Sequence, residues 1–202
     1  MRAREIIQEA ESESAFEQRC LAIVRKVAQY ASSADREIMN SVEVLITNDP
    51  DADDRVYSSP EDRVVVVDME EFGTAPTPVL IWLIAHELCH IVMNHKSSTT
   101  IPAQASQQQE QSADKYANEL VLKLGITKVP VFSWLYRRKD QLGRTELERR
   151  QSLERDPANA DYFNNSASHP TTDQRIKQAG KLGLELSRVN TDQIDSLIGH
   201  MA

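Results

Sequence analysis

The chain has little of several things, and each shortage removes a class of explanation. Cysteine is the first: only Cys20 and Cys89 occur in 202 residues. That is too few for a disulfide framework, and both sit in apolar helical context, where a reduced, buried thiol is the ordinary state. Basic residues are outnumbered, 23 Lys and Arg against 31 Asp and Glu, for a formal net charge of −8. Nucleic-acid backbones need a basic face, so they are excluded as the main partner. Long apolar runs are missing too. The longest, from Val79 to Ala85, falls far short of the ~20 residues that span a bilayer. No secretory leader is expected either, because Arg2, Arg4, Glu5, Glu9 and Glu11 interrupt the region that would have to be apolar. Aromatics are sparse, at 5%, and there are no internal repeats. These shortages predict a soluble, cytoplasmic protein with no membrane span.

What is present suits a folded domain. The hydrophobic fraction is 40% and the charged fraction 27%, both ordinary, and the length allows a core that needs no staple. Residues 3–30 carry apolar positions at helical spacing, from Ile6 and Ile7 to Val27 and Ala28, and predict one long amphipathic helix. Residues 41–47 and 63–68 read as two short strands that pair across a loop opened by Asn48-Asp-Pro-Asp51. Thr77 is placed to cap a helix with Pro78 at its first position. That helix runs from Val79 to about His95, apolar almost all round, as befits a central element. A polar loop follows, then a helix over about 107–124 ended by Gly125. Residues 131–155 read as a charged helix, and two short helices near 172–184 and 191–200 close the chain. The expected architecture is α+β, mainly helical, with a small sheet bordering the central helix. It forms one domain over 1–202: an N-terminal helical part (1–40), a core (41–125), a charged insert (126–167) and C-terminal helices (168–202).

The informative stretch is His86-Glu-Leu-Cys-His90. Residues four apart lie one above the other on a helix, so His86 and His90 can aim two imidazoles at one ion. Zinc accepts such nitrogens, and catalytic zinc sites keep a position open for water. Glu87 stands about 100° round the helix from His86, placed to reach that water rather than the ion and to act as general base. The third ligand decides the class. A metzincin would need glycine at 93 and histidine at 96, where this chain has Met93 and Lys96. His95 is one residue out of register and reads as the frayed end of the helix, suited to its dipole. The better candidate is Glu110, in Glu110-Gln-Ser-Ala-Asp114, on a helix that can return across the first. Asp114, one turn beyond on the same face, is placed to accept the N–H of a ligand histidine.

These two motifs, with Ser168-His-Pro-Thr-Thr-Asp-Gln-Arg-Ile176 downstream, resemble the gluzincin arrangement and most of all the Ste24/HtpX-type M48 zinc peptidases. The resemblance covers roughly residues 60–180, mainly at the motifs. It implies a zincin-like domain with one Zn2+ per chain, ligands His86, His90 and Glu110, base Glu87, and Asp114 behind the ligands. It also adds His169 and Arg175 near the active site. His169 would donate to the oxyanion or fill the open zinc position at rest; Arg175 would hold a carboxylate or support its loop. The strand at 63–68 would border the substrate cleft, where a peptide can add as a further strand. Cys89 stands where many members have glycine, alanine or serine, and the insert 126–167 has no obvious counterpart.

The expected function is a zinc-dependent endopeptidase acting on protein or peptide substrates. Two alternatives stay open: a regulatory protease that cuts one partner protein, and a non-catalytic, zinc-stabilised helical interaction domain.

Overall fold

The computed structural model describes residues 12–48, 56–97, 100–132, 134, 170 and 172–186. Ser12 opens α1 (Glu13–Ala28), its Oγ accepting from the Ala15 N–H at 3.2 Å as serine does at a helix N-cap. Phe16, Cys20, Ile23, Val24 and Val27 recur at three- and four-residue spacing, and all are buried, so α1 lays one apolar stripe on the core. The helix expected over 3–30 is therefore shorter at its C-terminal end, and a second one follows. Ser32 caps α2 (Ser33–Asn40) by accepting from the Asp35 N–H at 3.2 Å, a local bond that competes with helix continuation. Residues 3–11 of the expected helix lie outside the described residues.

Three strands, β1 (Glu43–Thr47), β2 (Val56–Ser59) and β3 (Val64–Asp68), form a mixed sheet in the order β1-β3-β2. The two expected strands do pair, in parallel, with Glu43 opposite Val64 and Thr47 opposite Asp68. The unexpected one is β2, antiparallel to β3 with Val56 opposite Val67 and Ser59 opposite Val64. Its four residues, between an acidic loop and Pro60, carry too little apolar alternation to announce a strand. One expectation is corrected as a result. With a partner on each side, β3 has no free edge for a peptide to join; β2 lies at the margin of the sheet and packs on the central helix.

A short helix, α3 (Met69–Phe72), leads to that central helix, α4 (Thr77–Val92). Thr77 is its first residue rather than its cap. Pro76 takes the cap position without a side-chain bond, which the missing N–H of Pro78 in the first turn makes inexpensive. Val79, Leu80, Trp82, Leu83, Ile84, Ala85, Leu88, Cys89 and Ile91 are all buried. The helix packs against the sheet, α1 and α5 (Ala103–Lys123). Helix α5 starts four residues before the expected Gln107 and ends ahead of Gly125, whose φ of +79° suits only glycine well. Buried Asn118 accepts from Trp82 Nε1 at 2.8 Å, tying α5 to α4. The chain then forms β4 (Lys128–Val129), which pairs in parallel with β5 (Glu185–Leu186) after α6 (Thr172–Lys181). Strands of two residues have no period to read, and neither was expected. Most of the helix expected over 131–155, and all of that over 191–200, lie outside the described residues. The fold class is the expected one: α+β, mainly helical, with a small mixed sheet beside the central helix. No described helix is long and apolar enough to cross a membrane.

Candidate metal centre

Helix geometry brings His86 and His90 onto one face of α4, and the packing of α5 against α4 delivers Glu110 to the same point. His86 Nε2 and His90 Nε2 are 3.2 Å apart. Glu110 Oε2 is 3.3 Å from the first, and Glu110 Oε1 is 3.4 Å from the second. Among the described residues these three form the one His/Cys/Asp/Glu group whose ligand atoms converge closely enough to hold a metal ion.

The donor set fits such an ion. Donors ~2.0–2.1 Å from a tetrahedral centre stand about 3.3 Å from one another, the spacing found. Orientation agrees. Asp114 Oδ1 lies 3.0 Å from His86 Nδ1, favouring a proton there and leaving the Nε2 lone pair facing the Glu110 carboxylate. Two lone pairs aimed at each other repel unless a positive charge lies between them. The local field favours a positive charge here, whether a proton or a metal cation: burial works to lower the His86 imidazole, but the Asp114 and Glu110 carboxylates outweigh it and push it up to about 10.

Behind His86 stands a buried relay. Arg175 donates to Asp114 twice, Nε to Oδ2 at 2.8 Å and Nη2 to Oδ1 at 2.6 Å. Its guanidinium lies over the Trp82 ring at 5.1 Å and the Phe132 ring at 5.4 Å. Trp82 in turn stacks on His86, with centroids 5.6 Å apart. Burial alone would raise the Asp114 carboxyl; Arg175 and His86 reverse the sign and hold it below the usual range. Arg175 therefore reaches the centre through Asp114.

Behind His90 the arrangement differs. Its Nδ1 is 3.0 Å from Nδ1 of His95, so His95 is a neighbour of the centre and more than a frayed helix end. Burial lowers the His95 imidazole below its ordinary value, keeping it neutral and able to accept. Glu87, next to His86 on α4, accepts from Ser58 Oγ of β2 at its Oε2, 2.8 Å away. Cys89 is buried, and burial, helped by Asp35, Asp114 and Glu110, pushes its thiol up to about 12, which keeps it protonated and unreactive. His169 lies outside the described residues.

Three contacts here had no sequence signal strong enough to use. Ser58 lies in a four-residue strand with little apolar alternation, Asn118 has the pattern of any polar helix residue, and His95 is out of register with the motif.

The family model described as Peptidase U49 matches residues 3–129, more than half of the chain. The chain belongs to the peptidase U49 family. The match takes in α1 to β4 and hence His86, Glu87, His90, Glu110 and Asp114, while Arg175 and His169 lie beyond it. Membership of U49 makes the chain a peptidase; it does not carry the M48 assignment that the motif order resembles. Comparison with curated proteins and with solved structures gave no match.

Proposed function

We propose that this U49 peptidase is a zinc-dependent endopeptidase of gluzincin type, acting on protein or peptide substrates. The observation that carries the reading is the convergence of His86, His90 and Glu110 at 3.2–3.4 Å. Three protein donors are the complement of a catalytic site, whereas structural zinc sites close with four. A zinc ion held there supplies Lewis acidity and lowers the pKa of water toward ~7.

The chain's own residues do the rest. His86 and His90 present Nε2, and Glu110 presents its carboxylate from the facing helix. Asp114, anchored by Arg175, keeps the His86 proton on Nδ1 and the ring in position. Glu87 accepts the proton of the attacking water and passes it to the leaving amine. Ser58 holds one Glu87 oxygen and so fixes the direction of the other. His169 is assigned, from the M48-like Ser168-His-Pro segment, either a hydrogen bond to the developing oxyanion or the open position at rest. The cytoplasm is the compartment proposed.

The reading is tested by metal analysis and turnover together. Purified protein is expected to hold about one zinc per chain, and Glu110→Ala to lose it. Glu87→Gln is expected to retain zinc while cleavage of an unfolded protein falls by about 10²–10⁴-fold, the usual worth of a general base. A zinc-stabilised interaction domain predicts instead no chelator-sensitive cleavage in either protein. Full activity in Glu87→Gln would remove Glu87 from the mechanism.

A further inference from the structure

Helix α4 ends in a specific way. Met93 is the C-cap residue, and Asn94 adopts a left-handed φ of +50°. The Asn94 N–H then bonds the Ile91 carbonyl at 3.1 Å, and the His95 N–H bonds the His90 carbonyl at 2.9 Å. This pair of bonds is the Schellman closure, with asparagine where glycine is commoner. Its consequence is local. The turn folds residue 95 back over residue 90, so the two histidines share a backbone bond and a side-chain contact. Their rings meet edge to face, centroids 4.8 Å apart at 78°, with the two Nδ1 atoms 3.0 Å apart.

Only one assignment of protons suits a ligating His90. Its Nε2 must be bare to face an ion, so its Nδ1 carries the hydrogen and donates to His95 Nδ1. His95 must then carry its own hydrogen on Nε2. Ligand histidines generally hand that second N–H to a carboxylate, a carbonyl or a water, and losing the partner weakens metal binding about 10–100-fold.

We propose that His95 is a positioning residue for the metal centre: held in place by the Asn94 turn, it fixes the tautomer and ring angle of His90 by accepting its Nδ1–H. The proposal rests on the reading of His86, His90 and Glu110 as a metal site. His95 never touches the ion in this role. It also borders an open cavity of about 350 Å³, together with Asn94, Lys96, Gln108, Gln109 and Ser112, so a ring of similar size has room there.

The test uses the full chain stripped of metal and titrated with Co2+, whose visible absorption reports coordination geometry, and with Zn2+ in competition. His95→Phe keeps a ring but offers no acceptor. His95→Asn restores an acceptor at nearly the Nδ1 position. The expected result is a loss of metal affinity of about 10-fold or more in His95→Phe, an altered Co2+ spectrum, and recovery of most of both in His95→Asn. Imidazole ¹⁵N NMR of the Zn2+-loaded wild type needs no variant to fold. It should find hydrogen on His90 Nδ1 and none on His95 Nδ1. Wild-type affinity and spectrum in His95→Phe, or a protonated His95 Nδ1, overturns the proposal and leaves the site reading standing. A wild type that binds neither ion overturns both.

Discussion

The two imidazoles of the centre come from one helix, one turn apart, yet they are supported by opposite means. His86 is backed by charge: Asp114 on α5, clamped by Arg175 from α6, with aromatic rings around the guanidinium. All of that is buried and links elements far apart in sequence. His90 is backed by a neutral ring five residues on, set by the way α4 ends. The first support is global and depends on the fold being complete. The second is local and needs only a helix C-terminus. The His86 side should therefore fail together with stability, and the His90 side should fail almost alone.

The largest break expected is Arg175→Met. It leaves Asp114 buried without its cation, a loss of about 3–5 kcal/mol for pairs of this kind, read by denaturant unfolding at neutral pH. The pH dependence sharpens the point. Asp114 is held below its ordinary range in the folded protein, so the unfolded state binds its proton first as pH falls. The pair's contribution is complete above the usual carboxylate range and disappears as pH drops through the depressed folded value. Arg175→Met should lose this part of the acid limb, and an unchanged limb would show that the pair contributes little. Asp114→Asn breaks the same buried pair from the other side, so it too should cost stability, and it adds a separate effect on the metal. The shape stays while the charge behind His86 goes, so zinc affinity should fall about 10–100-fold. Equal affinity by competition titration would place the tautomer control elsewhere.

The same contrast explains what could be read from the sequence. Features carried by one element were legible. The four-residue spacing of His86 and His90 settles their common face, and the apolar pattern from Val79 onward settles that the helix is buried. Glu110 and Asp114 were reachable because they too are four apart, on a helix with one plausible return path. Features set by two elements at once were not. The edge position of β2 depends on which side of β3 it chooses, and four residues with one valine do not declare that. Asp68 and Glu71 are buried acids that no pattern marked. The place of His95 is illegible for another reason: register with the motif gives only a frayed helix end, whereas backbone handedness at Asn94 decides where His95 goes.

That single residue offers the smallest and most local test of the contrast. Asparagine tolerates the left-handed region better than other side chains, and glycine enters it without cost. Asn94→Gly should leave stability within a few tenths of a kcal/mol of wild type, since both residues close the same motif. Asn94→Ala keeps the helix but loses the short polar side chain that makes the left-handed region tolerable to asparagine, a cost of about 1 kcal/mol, visible in the denaturation midpoint. If the turn is what delivers His95, the alanine variant should also bind Co2+ more weakly than the glycine variant, by a few-fold, although neither side chain comes near the ion in its role. Equal binding by the two would mean that the His90–His95 contact holds itself together and that the handedness of residue 94 merely accommodates it.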